Sequence, residues 1–461
     1  MTATGAERTA HFGVNAHRLL ALAWPVALGQ FAVIAFSTID TVLVARYAAV
    51  DLAALAIGAS IYITVFVGLM GVVLAVGPIA GQLFGARQLH DAGDALHQSV
   101  WLALGLSALG STLLLFPGPF LALAQASPAV ATDVRGYLSA LAFALPASLL
   151  FTAYRGFNVA VSRPKAVMAL QIGALLFKLP LTAALVYGVP ALGLPELGVT
   201  GCGVATALVM WTQCALAWFV LTRDPFYVQF NLRGRGLHPA SARALMSLLK
   251  LGVPMGLGIL IEIMGFTFMA LFIARLGTHA VAGHQIAVNL TAMMFMVPLA
   301  IGNASCTLVA QRIGAADMAD ARRLAWHGLV LGVGIAVLLS GVIALARAPI
   351  VALYSPDPTV IAAALPLLTW LVVFHSADAL QTITAHVLRA YRIAAVPMVI
   401  YVFAILGLGL GGGYVLAFDV LGNTPTTLLG APGFWAAASA GLLLAGLALT
   451  AFLAYVQRQT A

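Results

Sequence analysis

Apolar residues in this chain run in long unbroken stretches; they neither alternate nor keep to a single helical stripe. Charge-poor segments lie near residues 18–44, 52–80, 95–117, 132–156, 166–188 and 199–222, and again near 246–275, 281–306, 324–347, 359–387, 394–418 and 433–456. Each is long enough, at a rise of about 1.5 Å per residue, for a helix to cross the hydrocarbon core of a bilayer. Continuous apolar runs predict membrane helices, because the strands of a membrane barrel alternate lipid-facing and lumen-facing residues. The residues before Arg18 are polar and the apolar run after it continues to Ile39, so the segment is expected to be an uncleaved first span and not a signal peptide. The pattern therefore predicts an all-α polytopic membrane protein of about twelve spans.

Composition agrees. Hydrophobic residues make up 62% of the chain and charged residues 8%, against roughly 25% charged in a soluble domain. The net charge of +8 does not point to nucleic acid, because the basic residues sit in short gaps between apolar runs. Of the 22 Lys and Arg, only Arg46, Arg135, Arg275 and Arg347 fall in one alternate set of gaps, and Lys178 falls inside a span; the other seventeen share the opposite side. Such a bias places both termini in the cytoplasm by the positive-inside rule, in an inner, plasma-type membrane. Cys202, Cys214 and Cys306 have no metal-ligand spacing. No P-loop, HExxH or nucleophile-elbow pattern occurs, so neither an enzyme nor an organic cofactor is expected.

The chain repeats itself at an offset of 229 residues. Pro25, Leu28 and Gly29 fall on Pro254, Leu257 and Gly258; Ala45-Arg46 falls on Ala274-Arg275, and Ile57 on Ile286. Gln82, Gly85 and Ala86 fall on Gln311, Gly314 and Ala315, and Asp91-Ala92 on Asp320-Ala321. Six spans per repeat return the chain to its starting side, so the halves are parallel repeats with a pathway expected between them. The expected organisation is an N-terminal lobe, residues 1–222, a basic cytoplasmic linker, 223–245, and a C-terminal lobe, 246–461.

Charges inside spans are costly, about 2.5–3.5 kcal/mol each at a helix centre. Three acids fall there: Asp40 in span 1, Glu262 in span 7 and Asp378 in span 10. They serve either as structural partners or as a proton or cation site, and two acids in one half without a deep base favour the second reading. His375, three residues before Asp378, lies on the same helical face; it either shares the Asp378 proton or bonds to backbone. The repeat places Met269 opposite Asp40 and Val33 opposite Glu262, so the acids are particular to each half. Lys178 in span 5 is expected to reach Asp40. Their depths differ by roughly 9 Å, of which a snorkelling lysine covers about 6 Å. Thr182, one turn further along, is expected to add a hydroxyl to that carboxylate.

Gly407, Gly409 and Gly412 have the GxGxxG spacing but lie in an apolar span, where close helix packing explains them better than a nucleotide loop. Gly252 and Gly256 read the same way. Pro25 and Pro254 are expected to begin equivalent spans. Met293, Met294 and Met296 are expected to pack against core or lipid.

In the segments Pro25 to Asp40-Thr41, Gly81-Gln82-Leu83-Phe84-Gly85-Ala86 and Gly201-Cys202-Gly203-Val204-Ala205-Thr206, the chain resembles the multidrug and toxic compound extrusion (MATE) family, in its NorM-type branch. Glu262, Ala282-Gly283-His284-Gln285-Ile286, Asp378-Ala379-Leu380-Gln381 and Leu388-Arg389-Ala390-Tyr391 carry the same likeness. The resemblance implies a two-lobed antiporter that expels amphipathic, often cationic drugs in exchange for Na⁺ or H⁺. It further implies a cation site at Glu262 and Asp378, where Na⁺ is possible, and a second site around Asp40. It carries a substrate role to Asp357 and a matching residue to Thr206. The chain departs from the branch at Lys178 and Thr182, where asparagines are common, which puts a metal-ion role near Asp40 in doubt. The alternative is a flippase of the same superfamily that moves a lipid-linked oligosaccharide or similar precursor. A major-facilitator transporter is disfavoured because the loop after span 2, Gly85-Ala86-Arg87-Gln88-Leu89-His90-Asp91, lacks that family's basic signature.

The charge bias makes topology testable. Reporter fusions at Arg8, within 223–245 and at Arg458 should all report cytoplasm; a periplasmic signal from any one removes the twelve-span count.

Overall fold

The computed structural model describes residues 5–125, 127–232 and 237–460. Arg233 and Arg235 of the basic linker lie outside the described residues, as does the Arg8 side chain. Twelve helices are long and apolar enough to cross a membrane. They are α1 (Phe12–Ala45), α2 (Ala49–Gly85), α3 (Leu89–Leu115), α4 (Pro128–Ala160), α5 (Pro164–Tyr187) and α6 (Gly198–Arg223). The rest are α7 (Ala242–Ala274), α8 (Thr278–Gly314), α9 (Met318–Leu345), α10 (Pro358–Ala390), α11 (Ala395–Ala417) and α12 (Ala431–Gln459).

Each expected span is found as a helix, and most extend beyond the apolar run at their Arg- and Asp-bearing ends. A helix satisfies its own backbone, so hydrogen bonding carries it on past the hydrophobic boundary. For that reason Pro25 and Pro254 lie inside their helices and do not begin them. Each removes one amide donor from the ladder.

The chain forms two compact units. One comprises Leu28–Gly256, the other the residues up to Ala27 together with Leu257–Ala461. In the first, α4 is the central helix and packs against α2, α3 and α6. In the second, α10 holds the same place against α8, α9 and α12. The core of that second unit is built on Phe374, Phe434 and Trp435 with Leu367, Leu368 and Leu371.

The internal repeat reaches down to single backbone angles. Arg87 and Ala316, which the repeat places opposite each other, both adopt φ 58°. This is the left-handed conformation that turns the chain after α2 and α8, and non-glycine residues rarely adopt it. Short helices also start at equivalent positions after α3 and α9, at Gly118 and Arg347.

Glycine lets backbones meet at several helix crossings. A Cβ on Gly441 of α12 would lie 2.3 Å from the Ala404 carbonyl oxygen of α11, and Gly409 backs onto Ala437 and Ala438. Residues Val402–Gly412 of α11 are wound as π-helix. The GxGxxG spacing here is thus a packing surface. The first turns of α7 use the same device within their own unit: a Cβ on Gly252 would meet the Val72 carbonyl oxygen at 2.3 Å, and one on Gly256 the Gly68 oxygen at 2.4 Å. In the other unit the first turns of α1 pack Leu19 and Ala23 against Ala300, Ile301 and Ala304 of α8. By the repeat this is the corresponding crossing, made there by larger side chains.

The Gly252 contact yields a stability test. Gly252→Ala forces α7 away from a backbone carbonyl and should cost about 1–3 kcal/mol, seen as a lower melting temperature of the detergent-purified protein. Gly105→Ala, where nothing lies within 4 Å, should leave it unchanged.

Candidate cation site

Asp378 sits on the central helix α10, where burial is nearly complete; it is 8% exposed. Its carboxylate meets two groups one turn along the same helix. The Gln381 amide nitrogen donates to Asp378 Oδ1 at 3.0 Å, and the Thr382 hydroxyl lies 3.5 Å from the same oxygen. The same Gln381 nitrogen donates to Glu262 Oε1 of α7, also at 3.0 Å. One neutral amide therefore bridges two carboxylates and holds them close together. Neither acid is in a salt bridge among the described residues. The other end of the amide, Gln381 Oε1, is buried with no hydrogen-bond partner among the described residues. The two carboxylates, with a buried unused carbonyl oxygen on the amide that bridges them, gather acceptors without an ion-pair partner among the described residues. A proton or a hard cation with oxygen ligands completes it.

His375 is not part of this cluster. It is fully buried, and neither ring nitrogen has a hydrogen-bond partner among the described residues. Side chains on a helix tilt toward its N-terminus. Gln381 and Thr382 lean back onto Asp378, whereas His375, one turn before it, leans away. The shared-proton expectation overlooked this polarity.

In the Leu28–Gly256 unit, Lys178 Nζ lies 3.0 Å from Asp40 Oδ2, and the lysine side chain is 1% exposed. The ammonium also donates to Thr206 Oγ1 at 2.6 Å and lies 5.4 Å from the centre of the Phe36 ring. Thr206 passes its own proton to the Cys202 carbonyl at 3.0 Å. Thr182 does not contribute the expected hydroxyl: its Oγ1 is buried and has no partner among the described residues. Thr182 lies one turn beyond Lys178, and the partner comes instead from α6, which packs beside α5. The cluster holds one ammonium against one carboxylate, so no uncompensated charge is left for an added metal cation.

Asp357 stands at the start of α10 and caps it. Its Oδ1 accepts from the Thr359 amide at 2.8 Å and from the Thr359 hydroxyl at 2.7 Å. These bonds hold its carboxyl below the ordinary aspartate range. The residue is exposed and far along the helix from Asp378, so the structure does not bring it to the Glu262–Asp378 cluster.

Two residues escaped the sequence reading. Gln381 was visible as a polar residue three positions after Asp378, a spacing that puts both on one face. Arg155, assigned to a cytoplasmic gap, lies inside α4 and donates to Gln30 Oε1 at 3.1 Å and to Met70 sulfur at 3.4 Å. It is a further base within a spanning helix, one residue from the end of the apolar run 132–156.

The Asp40–Lys178 contact should appear as energetic coupling. Asp40→Asn alone leaves a buried ammonium short of its partner and should cost about 3–5 kcal/mol. Adding Lys178→Asn should recover much of that loss in thermal unfolding of the purified protein. Strictly additive losses would show that the two residues are not coupled.

The sequence and the fold match known proteins across nearly their whole length. The MatE family model matches twice, over residues 25–184 and 254–415, and the two matches begin one repeat apart. A probable multidrug resistance protein NorM of Aromatoleum aromaticum is 41% identical, covering 96% of this chain and 95% of that protein. The multidrug resistance protein PmpM of Pseudomonas aeruginosa is 35% identical, over 96% and 91%. Among solved structures, the eukaryotic MATE transporter AtDTX14 superposes with a TM-score of 0.85, covering 97% of this chain and 98% of that one. The Vibrio cholerae MATE transporter VcmN superposes with 0.84 over the same shares. Both are 18% identical and speak to the fold alone. With one match in each half and such relatives aligned over almost every residue, the chain belongs to the MatE family.

Proposed function

We propose that this protein is a secondary active multidrug exporter, which expels amphipathic, mainly cationic compounds in exchange for H⁺ or Na⁺. The observation that carries the reading is the Glu262–Gln381–Asp378 cluster, two carboxylates from two spans bridged by one amide, with no basic partner among the described ion pairs. Such a site gains a proton or cation from one face of the membrane and must lose it to another, which is the requirement for coupling. The names of the relatives, multidrug resistance proteins, support the substrate class. In this reading the protein lies in the inner membrane with both termini cytoplasmic, its lobes 1–222 and 246–461 joined by 223–245.

The Asp40–Lys178–Thr206 cluster serves in this scheme as the N-terminal lobe's switch, opened when substrate or a proton competes for Asp40. The flippase alternative is less well supported. It asks for basic charge free to bind an anionic headgroup; the Lys178 ammonium is already engaged by a carboxylate and a hydroxyl, and the Arg155 guanidinium by Gln30 and Met70.

Proteoliposomes loaded with ethidium test the coupling under separately imposed Na⁺ and pH gradients. The wild-type protein should export under at least one gradient. Glu262→Gln or Asp378→Asn should each reduce export to the level of empty liposomes while insertion and melting temperature are kept. Full export by both variants would refute the assignment. Gln381→Ala keeps both charges, so it should still export but need a higher concentration of the driving ion for half-maximal rate.

A further inference from the structure

Outside both clusters, the first turns of α3 meet a piece of the segment that joins the two halves. Gln98 pins this piece at two points. Its amide nitrogen donates to the Pro239 carbonyl at 2.9 Å, and its oxygen accepts from the Ser241 amide at 2.8 Å. Trp101 adds a third bond, its indole nitrogen donating to the His238 carbonyl at 2.9 Å. Held in this way, His238 is delivered onto α3. Its Nδ1 makes a very short contact with Asp94 Oδ1, and its ring meets the His97 ring edge-on with centres 4.5 Å apart.

Asp94 and His97 are three residues apart on one helical face. His97 is 6% exposed, and its Nδ1 is buried without a hydrogen-bond partner among the described residues. An imidazole nitrogen left unpaired at such burial is costly. The three residues each offer one ligand atom, and these atoms all lie within 4.8 Å of one another. Neighbouring ligands of a tetrahedral zinc ion with bonds of about 2.0–2.1 Å sit roughly 3.4 Å apart. Asp94 and His238 lie closer than that and part slightly to admit an ion, which the 50% exposed Asp94 side chain allows.

We propose that Asp94, His97 and His238 form a binding site for a divalent transition metal of the zinc class, which clamps the inter-repeat segment to α3. Two imidazoles and one carboxylate are a ligand set suited to such ions and poorly suited to Mg²⁺ or Ca²⁺, which prefer oxygen. The metal takes the place of the proton between His238 and Asp94, and that proton leaves to solvent. Coordination through His97 Nδ1 would also supply the partner that this nitrogen lacks. A water or a further group takes the fourth position. All three ligands lie within the Leu28–Gly256 unit, so the site is complete without the other half.

The full-length protein, purified without a histidine tag, is titrated with Zn²⁺ against a chromogenic chelator, and separately with Co²⁺ as a spectroscopic probe. The wild type should take up one ion per chain and melt at a higher temperature when it is bound. His97→Gln and His238→Gln should weaken binding about tenfold or more, with unliganded melting temperatures reported as the folding control. His238→Cys should keep a metal and add a thiolate-to-cobalt charge-transfer band absent from the wild type. That band requires the residue at 238 to be a ligand, and it cannot arise from a merely structural histidine. Equal metal uptake by the wild type and both glutamine variants would overturn the proposal, and so would a cysteine variant that binds cobalt without the band. Wild-type protein that binds no ion would reduce the cluster to a hydrogen-bonded His–Asp pair, and the proposal would fall.

Discussion

A hydrocarbon interior offers no hydrogen bonds, and every polar group placed in it must find its partner within the protein. The backbone meets that demand by remaining helical for the length of each crossing. Hydroxyl side chains meet it locally: Thr41, Ser60, Thr64, Thr112 and Thr291 each donate to a carbonyl four residues earlier in their own helix. Charged groups cannot do so, because no single backbone carbonyl balances a whole charge. The few that enter the spans must be gathered into clusters, and those clusters are where the protein departs from its own repeat.

The two halves share a frame down to a φ angle and the start of a short helix, yet each solves its buried charges differently. Asp40 is answered by Lys178, which is itself steadied by Thr206 and the Phe36 ring. Glu262 and Asp378 are answered by the amide of Gln381, with the Thr382 hydroxyl beside Asp378. The first arrangement is electrically closed, and the second has acceptors to spare. A repeat that duplicates helices and turns supplies the scaffold. The chemistry then depends on a few side chains that the duplication did not preserve.

Much of this was legible in the chain before any coordinates. Runs of apolar residues longer than a bilayer is thick admit no fold but spanning helices, and a repeat unit of six spans admits no arrangement but two parallel halves. The acids stood out because each is expensive where it lies. Position along a helix was less legible. Arg155 stands next to the end of its apolar run and reads as part of the gap that follows, whereas the helix continues to Ala160; Pro25 and Pro254 looked like beginnings because their helices start before the apolar runs.

Sequence alone therefore determined what the solvent dictates: the number of spans, their repetition and the identity of the costly residues. Tertiary structure decided which of those residues meet. Contacts between helices depend on rotation about each axis and on the tilt of side chains toward the helix N-terminus, and neither is written in spacing along one helix. Gln381 and not His375 reaches Asp378 because of that tilt. Thr206 and not Thr182 receives the Lys178 ammonium because α6 turns that face toward α5. His238, distant from Asp94 along the chain, arrives beside it only because Gln98 and Trp101 hold the backbone around it there.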